Sequence, residues 1–279
     1  MKIKITSDST CDLSADLVEK YNIELVPLTI IKDGESYLDN VTITPADIFE
    51  HVATGGDLCS TTATNVGEYI EQFEKFADYD GVIHISLGSG FSSSYQNACL
   101  AAEDFDNVRV VDSNNLSTGQ GLVVLKACEL AQTCDNIDAL QQQLQEYTTH
   151  IEASFLLDQL KYMVKGGRCS GAAALGANLL NLKPCIEVRD GKMSVVKKYR
   201  GNYAKSLVSY VKDRLSERDD LDKGTLFVTY TPVSDECLNA VDATVAQYGD
   251  FENIYHTTAG STISCHCGPG TLGVLFVRK

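Results

Sequence analysis

Three stretches concentrate hydroxyl groups: Ser7-Asp8-Ser9-Thr10, Ser60-Thr61-Thr62 and Ser89-Gly90-Phe91-Ser92-Ser93-Ser94. Each falls where an apolar strand pattern gives way to a helix pattern. In an open parallel sheet, ligands collect beyond the carboxyl ends of the strands. A helix N-terminus there offers free N–H groups and partial positive charge. Hydroxyls and N–H groups together can hold a carboxylate or a phosphate. The same residue types also cap helices, and Ser92 or Ser93 would cap a helix starting near Tyr95. A fourth stretch, Ser264-Cys265-His266-Cys267-Gly268-Pro269-Gly270, reads as a turn and suggests metal at first sight. Adjacent residues do not easily converge on one ion, and no second pair has zinc-site spacing, so no metal is expected. His266 is then a buried, hydrogen-bonded residue or a base. His51, His84, His150 and His256 have no motif around them. Lys165-Gly166-Gly167-Arg168 reads as a tight basic turn. With Lys197-Lys198-Tyr199-Arg200 it makes Arg168 and Arg200 the candidate anion or docking residues. The Walker A loop, the dinucleotide glycine fingerprint and the nucleophile elbow are absent from the sequence.

The elements that must position these residues alternate in the first half. Strands are predicted at Ile3 to Thr6, Glu24 to Ile31, Val82 to Leu87 and Val108 to Val111. Helices are predicted at Leu13 to Tyr21, after Thr44-Pro45, at Val66 to Phe76, Tyr95 to Glu103, Thr118 to Thr133 and Ile137 to His150. Thr44-Pro45 is a cap residue followed by proline at the first helical position. Cys59 to Thr64 reads as a loop. Strand–helix alternation implies a largely parallel sheet covered on both faces. In the second half, Phe155 to Leu157 reads as a buried strand. Asp190-Gly191 joins Ile186 to Val188 and Met193 to Lys197 in a hairpin. Helices Ala204 to Leu215 and Asp235 to Tyr248 alternate with strands Leu226 to Tyr230, Ile254 to Thr257 and Val274 to Val277. The fold class is α/β: a parallel-sheet N-terminal domain, residues 1–152, and a mixed α+β C-terminal domain, residues 153–279.

The chain has 279 residues, 44% hydrophobic and 22% charged, with a formal net charge of −15. That is a globular composition with a sizeable core. The charge argues against a broad nucleic-acid footprint and against docking on an anionic membrane. No apolar run approaches the length of a membrane span. The ten Cys are scattered, mostly in apolar segments, and MKIKITSDST lacks the apolar stretch of a signal peptide. Reduced thiols and a cytoplasmic location are expected.

Read in order, the motifs resemble the DegV family. Asp8-Ser9-Thr10-Cys11-Asp12-Leu13 resembles its opening. Val26-Pro27-Leu28, Thr61-Thr62 and Ser92-Ser93-Ser94-Tyr95-Gln96 follow in place. Lys165-Gly166-Gly167-Arg168, Leu182-Lys183-Pro184 and His266-Cys267-Gly268-Pro269-Gly270 complete a match across nearly the whole chain. The resemblance implies a two-domain, fatty-acid-binding protein of the bacterial cytosol without catalysis of its own. The acyl chain would lie in an apolar tunnel between the domains, with its carboxylate on hydroxyls. Some members present the acid to a separate ATP-dependent fatty acid kinase, which makes acyl phosphate for phospholipid synthesis. Carried over by position, Thr62 and Ser92 bind the carboxylate, Thr61 and His266 complete its polar network, and Arg200 lies near the phosphoryl-transfer mouth. Here Thr62 stands where serine is usual, Ala63-Thr64-Asn65-Val66 replaces a proline-containing stretch, Ser93 replaces a glycine, and Cys267 replaces a threonine. The hydroxyl contact therefore falls to Ser92, Ser93 or Ser94. No cofactor is expected beyond the bound long-chain fatty acid, and Gly171 to Ala177 would let its chain approach a helix closely. Two other readings stand beside this one. An enzyme would use His266 as base with a Ser or Thr nucleophile on a small acyl or phosphorylated substrate. An interaction module would dock an acidic protein on its basic turns.

Overall fold

A computed structural model describes residues 1–174 and 182–279. The first half builds on β1 (Ile3–Asp8), β2 (Glu24–Val26), β3 (Thr29–Lys32), β4 (Glu35–Leu38), β5 (Ser60–Thr62), β6 (Gly81–Ser86) and β7 (Val108–Asp112). Between them lie α1 (Ala15–Lys20), α2 (Pro45–Ala53), α3 (Val66–Glu74) and α4 (Ser94–Ala102), followed by α5 (Thr118–Ala131) and α6 (Ile137–Tyr147). Four strands form a parallel sheet in the order β2-β1-β6-β7. Every residue of β6 is buried, as a central parallel strand covered by helices on both faces requires. The helix starts follow local rules. Thr44 and Asp47 close a capping box at α2 with Pro45 inside, and Asn65 and Glu68 close another at α3.

Two expectations are corrected in this half. Glu24 to Ile31 is not one strand. Pro27 lacks the N–H a ladder needs, so the chain leaves the parallel sheet there and re-pairs as β3. Ser60-Thr61-Thr62 is a strand rather than a turn. It pairs antiparallel with β3, Ile30 opposite Thr61, in a three-stranded sheet β4-β3-β5.

The chain enters a six-stranded mixed sheet at β8 (Ile151–Leu157). It continues through α7 (Lys161–Gly166), α8 (Ser170–Ala173), β9 (Leu182–Arg189), β10 (Lys192–Arg200), α9 (Tyr203–Leu215) and β11 (Leu221–Tyr230). The last elements are α10 (Asp235–Tyr248), β12 (Asn253–Thr258), α11 (Ser261–Cys267) and β13 (Thr271–Arg278). The strand order is β10-β9-β8-β13-β11-β12. The predicted hairpin is β9–β10, and Gly191 takes the positive φ its turn needs. Ser264 to Cys267 is helical, not a turn; the turn is confined to Gly268-Pro269-Gly270. The stretch expected to let an acyl chain approach, Gly171 to Ala177, lies outside the described residues from position 175 onward.

The six-stranded sheet alternates its side chains between two cores, with the period of two that strands impose. Leu156, Leu226, Val228, Val274 and Phe276 pack under α9 and α10. Phe155, Leu157, Phe227, Leu275 and Val277 face the other way. They join Leu28, Ile83, Ile85, Leu87 and Leu116 of the first half in one cluster. The inner face of the second sheet thus covers the loops at the carboxyl ends of the first. Among the described residues no helix is long and apolar enough to cross a membrane.

Candidate functional site

The loops between the two sheets are held by buried polar bonds that span the sequence. Asp8 ends β1 inside the protein. Its carboxylate accepts bonds from the Leu87 N–H at 2.7 Å, the Ser86 hydroxyl at 2.8 Å and the Tyr69 hydroxyl, with His84 Nε2 3.3 Å away. Burial alone would raise the Asp8 pKa. The nearby His84 ring and the bonds from Tyr69 and Leu87 outweigh it and hold the carboxyl below its usual range. The anchored Leu87 N–H fixes the start of the loop that carries Phe91, Ser92, Ser93 and Ser94.

A second clamp seats α11. Its first N–H groups have no partner within the helix. Asp12 accepts from Gly260 N at 2.9 Å, Asn40 from Ser261 N at 3.1 Å and Asp39 from Thr262 N at 3.2 Å. Ser9 ties Asp39 to the Leu28 N–H, and Ser117 donates to Asp12 at 2.6 Å. Burial pushes the Asp12 carboxyl up to about 8, against the bonds from Ser117 and Gly260. A helix of the second half is thereby positioned by acids and an amide of the first.

So held, α11 sends its three consecutive Cys-His-Cys side chains apart. Cys265 packs with Cys59, Ile30, Ile43 and Ile48, while Cys267 joins the main core. His266 Nε2 meets the Thr61 hydroxyl of β5 at 2.9 Å. Burial, with the nearby Arg168 charge, lowers the His266 pKa to about 4, so the ring is neutral. Its Nδ1 is buried without a partner among the described residues and faces the α-carbon of Gly166, where any Cβ would overlap it. A buried N–H without an acceptor is costly. We therefore assign the proton to Nε2. His266 donates to Thr61, and the Thr61 hydroxyl proton is free for a ligand.

Thr61, Thr62, Ser92, Arg168 and His266 are among the residues lining a cleft with about 540 Å³ of empty space, part of it open to solvent. The walls behind them are apolar and include Leu28, Leu87, Phe91, Leu116, Met163, Met193 and Ile263. A neighbouring space of about 410 Å³, also partly open to solvent, shares Leu116, Ile263 and Cys267 with the first and is lined further by Ala153, Phe155, Val188, Ala259 and Leu275, with Ser117, Thr229, Thr231 and Thr271. The two neighbouring spaces are mostly apolar, and the first gathers Thr61, Thr62 and Ser92 with the Thr61-bonded His266. That suits an amphiphile with one anionic end.

Most of the expected site residues meet here, with differences. Ser92 lines the cleft and its hydroxyl bonds that of Ser94 at 2.9 Å and accepts from Ser94 N at 3.2 Å. Ser93 holds the N-cap position of α4 but makes no side-chain cap and is exposed; Ser94 is fully buried. Arg168 follows the α7 C-cap, where Gly167 has φ +69°, and bonds to the carbonyls of Gly166 and Phe91. Arg200 is exposed at the far end of β10, opposite Leu182, and is not among the lining residues. His84, Tyr69, Asp39 and Thr262 escaped sequence reasoning as site-building residues, and Asp8 was read only as part of a polar turn, not as the acid that anchors the next loop. Tyr69 and His84 carry no local motif, and the partners of Asp8, Tyr69 and His84 lie 61 to 79 positions away.

A family model described as "Uncharacterised protein, DegV family" matches residues 2–279. The chain belongs to the DegV family. A DegV domain-containing protein of Clostridium perfringens is 31% identical over 286 residues, covering 100% of this chain and 99% of its own. Among solved structures, one is described as fatty acid binding of a DegV family protein from Thermus thermophilus. It shares 27% identity, covers 100% of both chains and superposes with a TM-score of 0.89. A fatty acid (stearic acid)-binding protein from Eubacterium ventriosum shares 26% identity, covers 99% of this chain and 98% of its own, and has a TM-score of 0.85. The DegV architecture accounts for both sheets.

Proposed function

We propose that this DegV protein binds one long-chain fatty acid in the cleft between a domain of residues 1–152 and a domain of residues 153–279. Thr62 and the freed Thr61 hydroxyl hold the carboxylate, together with a hydroxyl of the Ser92–Ser94 turn. His266 orients Thr61. The observation that carries this reading is the cluster of Thr61, Thr62, Ser92 and His266 in the lining of a mostly apolar cleft. The fatty-acid binding named for the Thermus and Eubacterium relatives supports it. Each buried methylene contributes about 0.8 kcal/mol, which leaves a tight complex after ordering costs.

The protein acts as a carrier, and chemistry falls to a separate ATP-dependent fatty acid kinase making acyl phosphate for phospholipid synthesis in the bacterial cytoplasm. Arg168 beside the cleft and the exposed Arg200 face that partner. The enzyme reading is disfavoured by the His266 pKa of about 4, which makes the imidazole a weak base at neutral pH. Titrating delipidated protein with palmitate tests the carrier reading. Saturation at one acid per chain supports it, and no binding of palmitate or oleate at micromolar concentration overturns it.

A further inference from the structure

The threonine strand and the serine turn that supply the carboxylate donors are braced to one another. Asp8 accepts from the Leu87 N–H, which starts the loop bearing Ser92. It also accepts from the hydroxyl of Tyr69, a fully buried residue of α3, the helix that follows Thr62. The hydroxyls of Thr64 and Ser94, both buried, lie beside the Tyr69 oxygen. A second tie is more direct. Asn97 of α4 donates from Nδ2 to the carbonyl of Thr64 at 2.8 Å, two residues beyond Thr62. Its own backbone N–H bonds the Ser93 carbonyl at 3.0 Å. One half-buried side chain thus joins the serine turn to the end of the threonine strand. A carboxylate carries two oxygens at a fixed separation. Donors from two different segments serve it together only while the distance between those segments is held, because hydrogen bonds weaken steeply with misalignment.

Resting on the fatty-acid reading, we infer that Asn97 is a positioning residue: its bond to Thr64 holds Thr62 at the distance from the Ser92–Ser94 turn that lets both meet one carboxylate. Asn97 is not among the residues lining either space of the cleft, so it acts through the two turns and not on the ligand. Alanine removes the tie and suits a helix interior, so α4 persists while the two segments are uncoupled. The cost falls on the head group, since the bond joins the two segments that carry its donors.

The test measures binding of palmitate and of hexadecanol, which has the same chain length and a neutral head, to delipidated full-length protein. The parent, Asn97→Ala, Thr62→Val and the double variant are compared. Asn97→Ala should weaken palmitate roughly two- to tenfold, part of the worth of one charged hydrogen bond, and leave hexadecanol unchanged. In the Thr62→Val background the same change should cost palmitate clearly less, because the donor that Asn97 places is already gone. Equal weakening of both ligands by Asn97→Ala overturns the inference, since a general structural role would produce it. Full additivity in the double variant overturns it too, as does an unchanged palmitate affinity in Asn97→Ala. If the parent binds neither ligand, the fatty-acid reading itself falls and the inference with it. Melting temperatures identify a variant that fails to fold. Should Asn97→Ala do so, Asn97→Ser, whose side chain is shorter and lacks the amide, is read in its place by the same criteria.

Discussion

Replacing Thr62 by valine keeps the side-chain shape and deletes one hydroxyl. Thr62 lies on β5 opposite Thr29, is exposed and lines the cleft. The cap of the following helix belongs to Asn65, so no helix cap is lost. Valine suits a strand position, and stability should stay within about 0.5 kcal/mol of the parent. A hydrogen bond to a charged acceptor is worth about 1.5–3 kcal/mol. Solvent at the exposed Thr62 puts this one at the lower end, a loss of roughly tenfold in affinity. The acyl tail still contributes, so binding falls without vanishing, and Thr62→Ser loses much less. Displacement of a fluorescent fatty acid and thermal melting on the same samples read both quantities. Unchanged affinity in Thr62→Val would remove Thr62 from the carboxylate site. Weaker binding accompanied by a large fall in melting temperature would refute the claim that the hydroxyl acts on the ligand alone.

Three further outcomes follow from the geometry. Gly166→Ala places a Cβ on His266 Nδ1 and should push the ring off Thr61, with an overpacking cost of about 1–3 kcal/mol and weaker fatty-acid binding; calorimetric binding equal to the parent's would contradict it. His266 sits near 4 in the folded protein against the usual 6.5, so its contribution is full above pH 6.5 and is lost as pH falls toward 4, by roughly 3 kcal/mol at most. Denaturant unfolding across that window should lose the corresponding slope in His266→Gln, and an unchanged slope would assign the dependence elsewhere. Arg200→Ala should bind fatty acid as the parent does yet be phosphorylated more slowly by a cognate kinase, because a guanidinium favours the charge of phosphoryl transfer; equal rates would exclude Arg200 from the transfer mouth.

What the sequence made legible was local. The parallel-sheet alternation, the α2 start at Thr44-Pro45 and the Asp190-Gly191 hairpin rest on neighbours a few residues apart, and all three stand in the structure. The hydroxyl turns and His266 were recognisable as a set through the order of motifs, and Thr61, Thr62, Ser92 and His266 do converge. Tertiary pairing decided the rest. Ser60-Thr61-Thr62 is too short and polar to announce a strand, and it becomes one only because β3 offers an edge. The clamp on α11 joins Gly260, Ser261 and Thr262 to Asp12, Asn40 and Asp39 across more than 200 positions. No spacing rule reaches that far.

The central claim, a fatty acid in the cleft with its carboxylate on the hydroxyl cluster, is tested most directly by what the purified protein carries. Native mass spectrometry followed by organic extraction should find one long-chain fatty acid per chain, either as isolated or after incubation with palmitate or oleate. Protein that carries no fatty acid under either condition would contradict the account.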